Sequence, residues 1–530
     1  MIGRRPVGWR GGTAMRVITR ACAVALAAFL LGVGALGPAL GQQDLRPAFR
    51  VRLQFARAGG IFDPAKWQYT SDWFVYPNVF NWLLRWNPGP DPKELQPDLA
   101  EKYAMSSDGL TFTFTLRKGV QFHKGFGELT ADDVVFSYQR QMDDPKLSFY
   151  EAMSNIKSVE ALDKYTVRIT LKERDGSFLW TIVSYRPGII VSKKAVQQLG
   201  DGFARAPVST GPFEFVSLTP QGEVIVRAHD AYFRGKPSVK QITFVHIGDE
   251  NTAAAALRRG DVQVIWTRGN PDVVKLLRED PKIHTVRVIE YYNLFQTQFS
   301  PRFKPGQDVR VRRALAHAID RRVIAKALPG LDEMADVLRP PQLFGGSNDV
   351  PTYPYDVNKA RALLREAGFP NGFPAVLMVQ NREPETTVGE ILVSQWKAAG
   401  LDVKIDVLDA TAAFDRRRKG DFDITISATA RPGDPHLFFW DVFHSDAVPP
   451  QGSNFFGYRD ADALIDAGRI TVDEARRVQI YKALQRKLMT DLPIIPLFYR
   501  HYELAMTAQV KSMQPGAFSM FWGETILVQR

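Results

Sequence analysis

Little in this sequence could make or break a covalent bond. It has no Gly-x-Ser-x-Gly elbow, no His-Glu-x-x-His and no phosphate loop ending in Gly-Lys-Ser/Thr, and its one cysteine, Cys22, precedes an apolar run near the N-terminus. Ser-x-x-Lys occurs as SNIK (154–157) and SQWK (394–397), with no Lys-Thr-Gly to complete a penicillin-binding site. His436 and His444 lie near Asp434, Asp441 and Asp446, at spacings that fit no metal template, so caps and surface roles are expected of them and no metal or cofactor. What remains is recognition, and arginine is its best instrument: a guanidinium offers a planar fork that bonds a carboxylate at two points. Arg431, in ATARPGDPHLFFW (428–440), is the candidate.

The elements that must position it can be read outward from the arginine. DFDITISA (421–428) has the β-branched content of a strand, and the residue before a proline is pushed into extended conformations, so Arg431 should continue from the strand's carboxyl end. Pro432-Gly433 then turns the chain, and Asp434-Pro435 reads as an N-cap with proline at the first helical position. Ligands of open α/β sheets sit outside the carboxyl ends of strands, and a helix N-terminus there favours negative charge. The alternative is a structural ion pair with a neighbouring Asp or Glu.

Around this segment the sequence alternates. A helix capped by Asp356 and ended by Gly368, with Ala360, Leu363, Leu364 and Ala367 on one face, leads to strand 375–380. A helix through Trp396, strand 401–408, a short helix near Phe414 and strand 421–428 follow, which implies βαβ units and a mostly parallel sheet. The earlier half is richer in short strands. There Thr111–Leu116 alternates polar and apolar, and Thr130 with Asp133 reads as a capping box for a helix burying Val134, Val135 and Tyr138. At 530 residues the chain exceeds what one hydrophobic core organises, so two lobes are expected.

Several of these segments, in order, resemble the extracellular solute-binding proteins of ABC importers, family 5, the peptide, dipeptide and nickel branch. TADDVVFSYQRQ (130–141), STGPFEFV (209–216, with Ser209 for the family's first glycine), DVRVRRALAHAIDRRVI (308–324) and YPYDVNKARALLREAGF (353–369, with Val357 for its proline) carry the resemblance across the chain after the N-terminal segment. It implies an α/β, two-lobed periplasmic-binding-protein-like fold of type II, with a large extra subdomain in lobe I and a hinge of two chain crossings, placed near 297–306 and 496–502. Lobe I would comprise 42–300 and 498–530, and lobe II 301–497. The function implied is capture of a small solute, peptide-like or another organic molecule, and its delivery to ABC permease subunits, by a monomer that is not an enzyme. An exported hydrolase on the same scaffold and a chemoreceptor-coupled binding protein are the alternatives. Peptide-binding members carry an aspartate, paired with the ligand's α-amine, where this chain has Arg431, so the sign is reversed and an anionic solute is favoured. Arg382, in VQNREPE (379–385), falls where dipeptide binders use an arginine for the ligand's carboxylate, a structural ion pair with a neighbouring Asp or Glu being the alternative there too. Tyr292, Asn293, Asn454 of GSNFFGY (452–458) and Tyr499 resemble pocket-lining positions of the family.

The N-terminus reads as a signal peptide, residues 1–41: Arg16 and Arg20, an apolar run at 21–36 shorter than a membrane span, and small residues at 39 and 41 that suit cleavage after Gly41. Cys22 lies at the wrong end of that run for a lipid anchor, so a soluble periplasmic protein without thiols is expected. GVGALG (32–37) matches a dinucleotide fingerprint only formally, since it neither follows a strand nor opens a helix. Five of the arginines behind the formal charge of +11 lie in residues 1–41, which hold no acids, leaving +6 from Gln42 onward. The one tight basic run, RRRK (416–419), suits a helix C-terminus, which argues against nucleic-acid binding.

Overall fold

Two long strands, Ile283–Phe299 (17 residues) and Ile494–Thr507 (14 residues), organise the chain. Rich in β-branched and aromatic residues, they pair antiparallel along most of their length, with a register shift between Glu290 and Leu294. The computed structural model describes residues 44, 46–53, 60–67, 73–89, 94–267, 270–328, 333–431, 433–516 and 520–529, so the signal-peptide segment lies outside the described residues. Residues 47–530 form one compact unit, and residues 1–46 a separate one in which Arg46 pairs with Asp44 at 2.7 Å.

The long strands are the middle of a ten-stranded sheet. On one side follow Ile424–Ala430, Pro374–Gln380 and Asp402–Leu408; on the other Val264–Thr267, Ala48–Leu53, Gln241–His246, Val224–Ala228 and Phe213–Leu218. The mostly parallel sheet expected for the second half is found only in part. Pro374–Gln380 runs parallel to both neighbours, and these three strands are linked by helices Glu385–Ala398 and Ala410–Lys419. Ile424–Ala430 is antiparallel to the first long strand, and that strand to the second. The reason is connection: crossover helices enforce parallel neighbours, whereas the long strands enter from the other half of the chain.

Buried side chains fall into two large clusters. One runs from Phe49 to Tyr292 and, Leu343 apart, resumes at Tyr502; the other runs from Leu294 to Tyr499. The change of core on the first long strand therefore falls at the register shift, upstream of the crossing expected near 297–306. The first core also holds a four-stranded antiparallel sheet, Ala100–Met105, Thr111–Leu116, Thr166–Leu171 and Ile156–Asp163 in that order. Thr111–Leu116 buries every second residue. Beside it helix Ala131–Asp143 starts on its capping box, with Thr130 N donating to the Asp133 carboxylate at 3.0 Å. Val134 and Tyr138 are buried as expected, while Val135 is only half-buried because it lies at the edge of the apolar face. Helix Val357–Glu366 is capped by Asp356, which accepts from Lys359 N at 2.9 Å. Among the described residues no helix is long and apolar enough to cross a membrane.

Candidate functional site

Strand Ile424–Ala430 extends two residues further than its sequence suggested, so Arg431 leaves it directly, its N–H donating to Tyr292 O at 3.1 Å. Gly433 adopts φ +77, and a Cβ there would lie 3.2 Å from Trp180 Cε3 and 3.4 Å from Trp86 Cζ2. Glycine is thus required by conformation and by space together. Asp434 caps helix Pro435–Phe443, accepting from His436 N at 2.9 Å, and is also bonded by Arg477 Nη2 at 2.9 Å. The Arg431 guanidinium donates through Nη2 to Asp441 at 2.7 Å and through Nη1 to Ala430 O at 2.9 Å. The ion pair is formed, then, but the Arg431 side chain keeps 38% of its surface exposed.

The turn that carries Arg431 meets a wall of aromatic rings from the first core. Trp86 stacks on Tyr185, with ring centroids 5.1 Å apart and planes 8° apart, and Trp86 Nε1 donates to Ser184 Oγ at 3.0 Å. Tyr185 lies edge-on to Trp73 at 5.4 Å. Over these rings stands Arg186, its guanidinium carbon 4.1 Å from the Trp67 centroid, 4.9 Å from Trp73 and 5.1 Å from Tyr185. Burial lowers the Arg186 pKa; the phenols of Tyr185 and Tyr76 offset this and the charge of Arg431 adds to it. Trp86, Trp180, Tyr185 and Arg186 are not among the residues expected from the sequence. The available clue was that Arg-Pro-Gly occurs at both 186–188 and 431–433.

Arg382 follows strand Pro374–Gln380 and pairs with Glu385, Nη2 to Oε1 at 2.5 Å and Nε to Oε1 at 2.7 Å, with 54% of its side chain exposed. It borders a cavity of about 470 Å³ whose wall also includes Asp249, Glu250, His501 and the stacked pair Phe295 and Phe498, 4.5 Å between centroids. Arg431 is not among the residues lining this cavity.

The remaining candidates divide. Tyr292 and Asn293 sit beside Arg431 on the first long strand, and both are buried and bonded to Glu290: Tyr292 Oη to Oε1 at 2.5 Å and Asn293 Nδ2 to Oε2 at 2.9 Å. Asn293 Oδ1 is buried and accepts no hydrogen bond among the described residues. Asn454 is a clamp for its own loop: Nδ2 donates to His444 O and Tyr458 O, and Oδ1 accepts from Tyr458 N, which commits its amide to backbone. Tyr499 is buried, and its hydroxyl donates to Val337 O at 2.7 Å. Asn454 and Tyr499 therefore hold the scaffold around the site, because local backbone uses the polar atoms a solute would need.

Residues 94–449, about two thirds of the chain, match the family described as bacterial extracellular solute-binding proteins, family 5 Middle. The chain belongs to that family. Heme-binding protein A of Haemophilus influenzae is 29% identical over 84% of this chain and 87% of that protein. The dipeptide-binding protein of Escherichia coli is 30% identical over 79% of this chain and 83% of that protein. Among solved structures, HbpA2 from Haemophilus parasuis covers 91% of this chain and 100% of its own at 28% identity and TM-score 0.81. MoaA from A. tumefaciens, in complex with mannopinic acid, covers 92% of this chain and 100% of its own at 28% identity and TM-score 0.73. The fold of this solute-binding protein is the two-lobed type II periplasmic-binding-protein fold with its mixed sheet. Its work is capture of a solute for an ABC importer and not catalysis, as in its relatives.

Proposed function

We propose that this solute-binding protein is exported to the periplasm as a monomer after removal of residues 1–41, carries no lipid, and delivers an organic anion to its permease. The carrying observation is Arg431, a half-exposed guanidinium at the carboxyl end of strand Ile424–Ala430, where peptide-binding members of the family place an aspartate for a free amine. The relative in complex with mannopinic acid supports an acid as cargo for this fold. A boundary between the lobes at the change of core, Tyr292/Leu294 on the first long strand and Tyr499/Tyr502 on the second, supports reading residues 301–497 as lobe II. Asn293 Oδ1 and Arg382 offer the solute a further acceptor and a further donor. Two short crossings let the lobes rotate as bodies, and a solute touching both favours the closed form by its differential affinity. Mass spectrometry of the solute that co-purifies, followed by calorimetry with it on the parent and on Arg431→Ala, tests the reading. A cationic co-purified solute, or equal affinities of the two proteins, would refute it.

A further inference from the structure

Beyond the turn at Gly433 the two lobes meet again, and there they meet through backbone. The four-stranded sheet of the first core presents two loops, 106–110 and 172–177, tied to each other by Arg174 Nε, which donates to Asp108 O at 2.7 Å. Against them lies segment 469–477 of the other lobe, which ends helix Asp462–Ile470 and starts helix Glu474–Asp491. Gly176 N donates to Arg469 O at 2.6 Å, and Arg477 Nη1 donates to Gly176 O at 2.9 Å. Arg469 Nη2 also comes within 3.7 Å of the Glu173 carboxylate. The fit is close: a Cβ on Gly176 would lie 2.2 Å from Thr471 O, and one on Gly109 3.0 Å from Val472 Cγ1. The φ of Gly176 is outside the left-handed region, so it is the opposite lobe, and not the residue's own backbone, that excludes a side chain there.

We infer that segment 469–477 is a latch that holds the lobes closed by contacts needing no solute, and that Arg477 is the positioning residue that couples this latch to the turn carrying Arg431. Arg477 reaches both sides at once, Nη1 to Gly176 O in the first lobe and Nη2 to Asp434, the helix cap that follows Gly433. Gly433 in turn packs on Trp180, four residues after Gly176. The contacts thus form a ring through both lobes, from Gly176 to Arg477, Asp434, Gly433, Trp180 and back along the chain. Rotation of the lobes must break the ring, and it takes a backbone acceptor from a guanidinium whose side chain is only 2% exposed. A closed form with such contacts of its own is populated before a solute arrives, and the solute then adds to it by its differential affinity. The latch does not depend on the charge of the solute, so it stands or falls apart from the reading of Arg431.

Spin labels on Lys157→Cys and Lys482→Cys, both at exposed positions, report the distance between the lobes, and no other cysteine follows Gln42. The measurement is made by double electron–electron resonance on protein freed of solute by unfolding, dialysis and refolding. The otherwise unchanged protein should show a resolved short-distance, closed population. Gly176→Val should lower the ratio of closed to open at least about tenfold, because its side chain meets Thr471 O only when the lobes are together, and Gly176→Ala should act in the same direction by less. Arg477→Lys keeps a charge beside Asp434 but loses the fork that reaches Gly176 O, so it should open the lobes as well. The thermal midpoint of each variant shows that it is folded, and Gly176→Ala keeps the test decisive if Gly176→Val is not. Absence of a closed population in the unsubstituted latch, or an unchanged distribution in both Gly176 variants, would overturn the latch. A shift in the Gly176 variants with none in Arg477→Lys would overturn the part given to Arg477.

Discussion

Two arginine–aspartate pairs flank the turn at Gly433, and they differ in everything but chemistry. Arg477–Asp434, at 2.9 Å, leaves 2% and 0% of its side chains exposed; Arg431–Asp441, at 2.7 Å, leaves 38% and 10%. Arg477 is fully employed, donating also to Gly468 O and Gly176 O, both at 2.9 Å. Its partner Asp434 caps the helix whose seventh residue is Asp441. A buried charge must be matched on every side, so the inner pair is a pin that fixes where the helix begins. The outer pair keeps solvent contact, so its arginine can exchange water for solute at little cost to the fold. A charge pair by itself therefore does not separate scaffold from site; burial does.

The comparison is broken most severely at the inner pair. Arg477→Met strands the Asp434 carboxylate in the core and should cost ~3–5 kcal/mol of unfolding free energy, read by urea denaturation. A loss below ~1 kcal/mol would mean that Asp434 reaches water and that the two pairs are alike. The outer pair should fail in binding instead. Arg431→Ala should weaken the co-purified solute at least about thirtyfold, or ~2 kcal/mol, while the urea midpoint stays near the parent's.

Acid should sharpen the contrast, because it loads the buried side. His436 follows Asp434 by two residues, and burial, aided by the nearby charges of Arg469, Arg477 and His444, holds its pKa near 3 rather than 6.5. His123 in the first core is likewise pushed down to about 3, chiefly by burial. Both folded values lie below the unfolded one, so the unfolded chain takes protons first: the stability is complete above pH 6.5 and lost as pH falls toward 3. Each histidine should cost ~1.4 kcal/mol per pH unit in that window, visible as a falling urea midpoint between neutral pH and about pH 5. A flat profile would place both rings in contact with water. The smallest effect belongs to Arg382, 54% exposed but paired with a Glu385 carboxylate that is only 2% exposed: Arg382→Ala should cost about 1 kcal/mol of stability, for a buried acceptor that loses its donor while water enters from the arginine side. A greater loss would make Arg382 a pin like Arg477.

Local signals were legible wherever a few adjacent residues decide the outcome. The caps at Asp356, Thr130 and Asp434 and the alternation of Thr111–Leu116 all appear where the sequence put them, while Pro432 of the turn expected after Arg431 lies outside the described residues. Asn454 and Tyr499 mark the limit. Their residue types suit a pocket, but a backbone carbonyl brought near by folding, His444 O in one case and Val337 O in the other, already takes the polar atom. The parallel sheet was half right for a related reason. Helix periodicity predicts crossover connections, whereas the direction of a strand arriving from the other half of the chain depends on which neighbour it meets.

The sequence by itself determined the family, the alternation of helices and strands, and an arginine at a strand's carboxyl end, because each follows from residue order over short spans. Only the tertiary structure decided that Arg431 shares Asp441, that Gly433 meets Trp86 and Trp180 from far earlier in the chain, and that Arg477 rather than Arg431 is the buried charge. Burial and long-range proximity are properties of how two cores close on each other, and the difference between a pin and a binding arm is made there.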